Sequence, residues 1–223
     1  MTLSSRTALA RARALHFGSS MPVGMGGTGG TGGAGGAGGA GGAGGAPGRN
    51  NFATLAQRAA EFLVSPDGPQ AAVLELGGWD THANQSNPNG ALANNLRQLD
   101  AGLAALRDGL GRNDTWQRTV VVVASEFGRE VAINGTLGTD HGTGGAAFVL
   151  GGAVHGGRVL ADWPGLAKQD RFEGRDLRTT TDLRAVFKGV LADHLKVSQA
   201  SLNGQVFPGS DGIKGLALLR STQ

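Results

Sequence analysis

The chain contains no cysteine. That excludes disulfides, thiolate metal sites and cysteine nucleophiles together, while leaving the compartment open. Aromatic residues make up only 5%, and Lys and Arg form no run, so the interleaved basic and aromatic surface of a nucleic-acid binder is missing. The formal net charge is only +3. No stretch approaches the roughly 18 consecutive apolar residues of a membrane span. The segment RTALARARALHF near the N-terminus has neither an apolar h-region nor a twin arginine, so it fails as an export signal. It reads instead as an amphipathic first helix within an N-terminal helical segment, residues 1–23.

Glycine is the abundant residue, with 41 in the chain. From Gly24 to Gly45 the sequence is almost entirely Gly with Ala or Thr, in a Gly-Gly-Ala triplet repeat. Such a tract has no side chains to bury and loses the most backbone entropy on ordering, so residues 24–48 read as a disordered, flexible Gly-rich insertion. The proline that stiffens collagen triplets is missing. No strand precedes the tract and no GK[ST] ends it, which argues against a phosphate-cradling loop.

After Pro47 the pattern becomes that of one α/β domain, residues 49–223. Phe52, Leu55, Ala56, Ala59, Phe62 and Leu63 follow helical spacing, and SPDGP separates that helix from a first strand, AAVLEL. Leu92, Leu96, Leu99, Leu103, Leu106 and Leu110 then recur at threes and fours, which predicts a long amphipathic helix ended by Gly111. TVVVVA follows, a β-branched run of the kind expected for a parallel strand buried on both faces. Strand, helix and strand in this order predict a βαβ unit. AAFVLGG reads as a third strand, and Thr181 or Asp182 can cap a last helix through Leu183, Val186, Phe187, Val190, Leu191 and Leu195.

The chemistry-bearing side chains gather at the strand ends, where open α/β sheets bind ligands. AAVLEL runs into GGWDTH, with Asp80 and His82. TVVVVA runs into SEFGR, with Glu126 and Arg129. A Gly-bounded loop, GTDHGTGG, holds Asp140 and His141. A carboxylate oxygen and an imidazole nitrogen two positions apart can reach one metal if the backbone there is irregular. Equally, Asp80 can cap a turn and His82 can be an exposed loop residue. Glu126 is costly at the end of a buried strand unless paired, so it is either a metal ligand or the partner of Arg129 in an ion pair. In the first case Arg129 is free to clamp an anionic substrate bidentately. Asp140 can share a metal with His141 or orient an imidazole from behind. Trp79 and Trp163 are candidate pocket walls, while His155 and His194 read as structural. Ser125 and His141 suggest a serine hydrolase, but VASEFG does not match the G-x-S-x-G elbow.

GGWDTHANQ, SEFGR, GTDHGTGGAAFVLGGAVHGG and TTDLRAVFKGVLADHL with VFPG together resemble the bacterial family catalogued as domain of unknown function 1501. That family is placed in the alkaline phosphatase and sulfatase superfamily. The resemblance covers roughly residues 50 to 210 and implies a parallel-sheet sandwich of alkaline-phosphatase-like type with a divalent-metal site, binding zinc, calcium or manganese. By similarity Glu75 and Asp80 match a strand-end Glu and Asp, Glu126 stands where an Asp ends a later strand, and His141 matches a later His ligand. Phe127 departs from the superfamily, which often has a His there. The superfamily's nucleophile has no counterpart before the Gly-rich tract, so the fold is expected to be incomplete, the C-terminal half of such a protein. The resemblance also implies export to the periplasm and a small anionic ester as substrate.

Two functions follow as expectations. One is a metal-binding domain of hydrolase type, with Asp80, His82, Glu126, Asp140 and His141 as ligands and Arg129 on the substrate anion. The other is a non-catalytic binding or assembly domain of the envelope, in which the same residues form a structural network.

Overall fold

The computed structural model describes residues 14–17, 52–111 and 113–220. Its element order is β1 (Ala14–Phe17), α1 (Phe52–Leu63), β2 (Ala71–Leu74), α2 (Ala91–Gly111), β3 (Val121–Val123), β4 (Gly128–Arg129), β5 (His141–Gly142), β6 (Phe148–Leu150), α3 (Leu183–Asp193) and α4 (Gln199–Ser201). The described residues are mixed α/β, with three two-stranded sheets among them. No described helix is long and apolar enough to cross a membrane. The Gly-rich tract of residues 24–48 lies outside the described residues, as does most of the N-terminal segment.

The three long helices stand where the apolar periodicity predicts them. Ala56, Ala60, Leu106 and Leu110 form one buried cluster between α1 and α2. The helices approach closely there because Gly102 presents no Cβ: one at that position would overlap the ring of Phe52. An interior helical glycine costs about 1 kcal/mol relative to alanine, and the contact with Phe52 is what it permits. Asp182 caps α3 by accepting the backbone N–H of Arg184 at 2.8 Å.

β3 lies between two apolar layers. Val121 packs against the cluster of α1 and α2, whereas Val120, Val122 and Val149 pack against Val186, Val190 and Leu218. Both faces of the strand therefore meet apolar side chains, which accounts for its unbroken valine run. The pairing, however, corrects the expected parallel βαβ unit. β3 pairs antiparallel with β6, Val121 opposite Leu150 and Val123 opposite Phe148. β2 pairs in parallel with β1 instead, from Ala14 opposite Ala71 to Phe17 opposite Leu74. Burial on both faces constrains side chains and says nothing of strand direction, so the valine run was ambiguous on this point. β1 is also a correction in itself: residues 14–17, expected within the first helix, form a strand paired with β2.

On α3 the buried face holds Ala185, Val186, Lys188, Gly189 and Val190. Leu183, expected on that face, is instead 36% exposed. Lys188 is fully buried. Its ammonium donates to Asn203 Oδ1 at 2.7 Å, to the Ser210 carbonyl at 2.5 Å and to the Ile213 carbonyl at 3.0 Å. An ammonium has three protons, so the three acceptors satisfy it without a carboxylate. The C-terminal segment is fastened to α3 by this cation and by the Leu216 N–H on the Ala185 carbonyl at 2.9 Å.

Lys188→Ala removes a donor from three acceptors, of which the Ser210 carbonyl keeps the Ile213 N–H, and leaves a cavity beside them. It is expected to destabilise the protein by about 2–4 kcal/mol in urea unfolding. Lys188→Met, which keeps most of the volume, should recover part of that loss; a full recovery would show that the ammonium's bonds contribute nothing.

Candidate metal centre

Asp80 and His82 lie in the irregular loop that follows β2. Gly78 turns the chain there with φ of 86°, and Asn95, buried on α2, donates to the Gly77 carbonyl at 3.1 Å. Trp79 is anchored by its indole N–H on the Leu76 carbonyl at 2.6 Å. Trp163, the other proposed wall, is 62% exposed.

Arg129 and His141 meet for a different reason. They are cross-strand partners in the short antiparallel pair of β4 and β5. The segment leading into β5 runs beside the Asp80 loop: Asn84 donates to the Thr136 carbonyl at 3.0 Å, Gln85 to that of Leu137 at 2.7 Å, and Thr139 to that of Thr81 at 3.2 Å. Gly138 is required at this crossing, since a Cβ would run into the His82 carbonyl. Sequence separations of about sixty residues thus collapse into one cluster.

At its centre is Asp80 Oδ1. It accepts from Arg129 Nη1 at 2.5 Å and lies 2.7 Å from His141 Nε2 and 2.9 Å from His82 Nε2. One carboxylate oxygen and one nitrogen from each imidazole lie within 4.8 Å of one another, a grouping able to hold a metal ion. Asp80, His82 and His141 are each about half exposed, so solutes can reach them.

Asp140 stands behind rather than among these atoms. His82 Nδ1 donates to Asp140 Oδ1 at 2.9 Å. That bond fixes the ring, with Nε2 facing Asp80 Oδ1 at 2.9 Å. This carboxylate-to-histidine pairing orients histidine ligands in metal sites. Asp140 is itself held by Asn134 Nδ2 at 3.2 Å, and Asn134 Oδ1 accepts the N–H groups of Thr136 and Gly138. The carboxylate adjacent to His141 in sequence thus serves His82.

The remaining expected residues fall as follows. Arg129 pairs with Asp80, not with Glu126, and is further held by donating from Nε to Thr139 Oγ1 at 2.9 Å and from Nη2 to the Thr139 carbonyl. Glu126 is exposed and is not one of the three grouped ligands. Phe127, which the sequence marks only as a lost imidazole, stacks on His141 with ring centroids 5.1 Å apart, and His141 stacks on His82 at 5.2 Å. Asn134, Thr139 and Gln85 also shape the site, and none of them is among the expected residues. For Asn134 the Asn-Gly pair was the available turn signal; a buried threonine carries none.

The geometry sets the acidity of both carboxyls. The guanidinium of Arg129, and after it His141 and His82, hold Asp80 below its ordinary value of 3.8. The His82 ring, and then the Asn134 amide, hold Asp140 below the same value. Carboxyls depressed in the folded state contribute stability that is present above the unfolded pKa and lost as pH falls through the folded one. The contribution of the cluster should therefore persist at neutral pH and disappear only in acid below 3.8. Arg129→Met is expected to raise the Asp80 titration toward 3.8, read from carboxyl carbon resonances. An unmoved titration would mean that the guanidinium is not the main cause.

Among curated proteins and among solved structures, none matches the chain. A family model does match, over residues 42–206, with the description Protein of unknown function (DUF1501). That span takes in most of the chain and every residue from Asp80 to His141, and the protein belongs to this family.

Proposed function

We propose that Asp80, His82 and His141 hold one divalent metal ion and that the centre hydrolyses small phosphate or sulfate esters. The observation that carries this reading is the convergence of one carboxylate oxygen and two imidazole nitrogens within 4.8 Å, with His82 turned to present Nε2 by Asp140. Two imidazoles and a carboxylate suit zinc better than calcium, which prefers oxygen ligands alone. Three protein ligands leave a position for water or substrate, as catalytic zinc sites do. The ester class is what the expected kinship with the alkaline phosphatase and sulfatase superfamily implies.

Held by Asp80, His82 and His141, a divalent ion would supply Lewis acidity and would lower the pKa of a water. The protein's own groups do the rest. Asp140 and Asn134 keep the His82 ring in one tautomer. Phe127 covers one face of His141 and limits its rotation. Arg129 uses three of its five donors on Asp80 and Thr139, so one N–H on each terminal nitrogen remains for an anionic oxygen.

A second reading has its own support: Asp80 is already matched by Arg129 and two imidazoles, so the cluster can serve as a self-satisfied network in an envelope binding or assembly domain.

Calorimetry with zinc separates the two. Purified protein should bind one equivalent, His82→Ala and His141→Ala should each weaken it by about a hundredfold or more, and Glu126→Gln should leave it unchanged. Aryl phosphates and aryl sulfates, assayed with added zinc or manganese, should be turned over by the wild type and not by Asp80→Ala. Absence of both metal binding and turnover would leave the network reading standing.

A further inference from the structure

We propose that Gln85 is a positioning residue that sets Arg129 at the centre and fixes the register of its two loops. Its amide oxygen accepts two hydroxyls, Thr81 Oγ1 at 2.7 Å from its own loop and Thr139 Oγ1 at 2.9 Å from the facing one. Thr81 and Thr139 are 7% and 4% exposed, so their hydroxyls have little access to water as an alternative partner. A threonine hydroxyl has one proton and two lone pairs. With its proton directed at Gln85, Thr139 Oγ1 offers a lone pair to Arg129 Nε, which donates to it at 2.9 Å. The Thr139 carbonyl takes Arg129 Nη2. These two contacts fix the guanidinium plane, and Nη1 then falls on Asp80 Oδ1.

Gln85 is tied at both ends of this chain of bonds. Its backbone N–H holds the Leu137 carbonyl, two residues before Thr139, so a shift of the loops would part the amide from both hydroxyls. An alkyl side chain at this position would leave two buried hydroxyls without an acceptor. Thr139 would be free to rotate its proton into the place of the Arg129 contact. GGWDTHANQ ends on this glutamine, four positions beyond Thr81. The consequence for ligands rests on the metal reading above; the effect on Arg129 does not.

The test uses the full chain. Exchange of the Arg129 Nε–H with solvent, assigned by its loss in Arg129→Lys, is measured by nitrogen-15 NMR, and zinc affinity is measured alongside. Gln85→Met should accelerate that exchange about tenfold or more, and Gln85→Glu, which keeps an oxygen for both hydroxyls, should restore protection. Zinc binding should weaken about 10- to 100-fold in Gln85→Met, and the loss should vanish in an Arg129→Met background. Unchanged exchange in folded Gln85→Met overturns the proposal, as does an undiminished loss of affinity without Arg129. If Gln85→Met does not fold, Thr139→Val against Thr139→Ser gives the same contrast, with serine keeping the hydroxyl. Wild-type protein that binds no zinc but shows the expected exchange pattern would retain the role of Gln85 and remove the metal reading.

Discussion

The site exists because two loops far apart in sequence are joined backbone to backbone. Asn84, Gln85 and Thr139 each donate a main-chain N–H to the opposite loop, and Ala83 forms a bridge with Leu137. Neither loop belongs to a strand of any size, so this short run of bonds supplies what a sheet supplies elsewhere. It requires special backbone at both sides of the crossing. Asn84 and Leu137 have positive φ, 51° and 61°, and Gly138 faces the His82 carbonyl without room for a side chain. Asparagine tolerates that conformation more easily than leucine does. The strain at Leu137 is held by the bonds around it, as is usual where function fixes a loop.

From that junction the electrostatics follow. Asp80 and His82 arrive from one loop and His141 and Arg129 from the paired two-residue strands β4 and β5, so that the guanidinium and both imidazoles converge on Asp80 Oδ1. Each donor is fixed from behind by a different device: His82 by Asp140, His141 by the ring of Phe127, Arg129 by Thr139. Rigid support behind an accessible group is what a binding centre needs, since geometry set beforehand need not be ordered when the ligand arrives.

How much of this was legible in the sequence depends on which interactions leave a periodic trace. The helices at Phe52–Leu63, Ala91–Gly111 and Leu183–Asp193 did, because one face of each is apolar. Asp80, His82 and His141 stand near strand ends in the sequence, and the fold brings the three together. The parallel sheet was over-read: Val121 to Val123 record burial from both sides, and their antiparallel partner, β6, comes from a segment whose direction no local pattern specifies. Glu126 follows the valines closely, yet it lies outside the grouping of Asp80, His82 and His141, because strand ends carry side chains to either side. Lys188 lies on the apolar face of its helix, where its charge argued for solvent. Its three acceptors come from residues 203–213, beyond the reach of any window on α3.

The choice between a metal centre and a structural network turns on exposure. A cluster maintained for stability should be buried, where an ion pair is screened least and its loss leaves an uncompensated charge. Asp80, His82, Asp140 and His141 are all about half exposed, and ion pairs in that setting contribute little to folding. The buried polar atoms lie one layer beneath, in Thr81 and Thr139 with the amide of Gln85 between them. The stabilising layer and the accessible layer are therefore distinct. Among the described residues it is the accessible layer that holds the side chains grouped closely enough for a metal ion, and exposure of that kind suits a binding role better than a purely stabilising one.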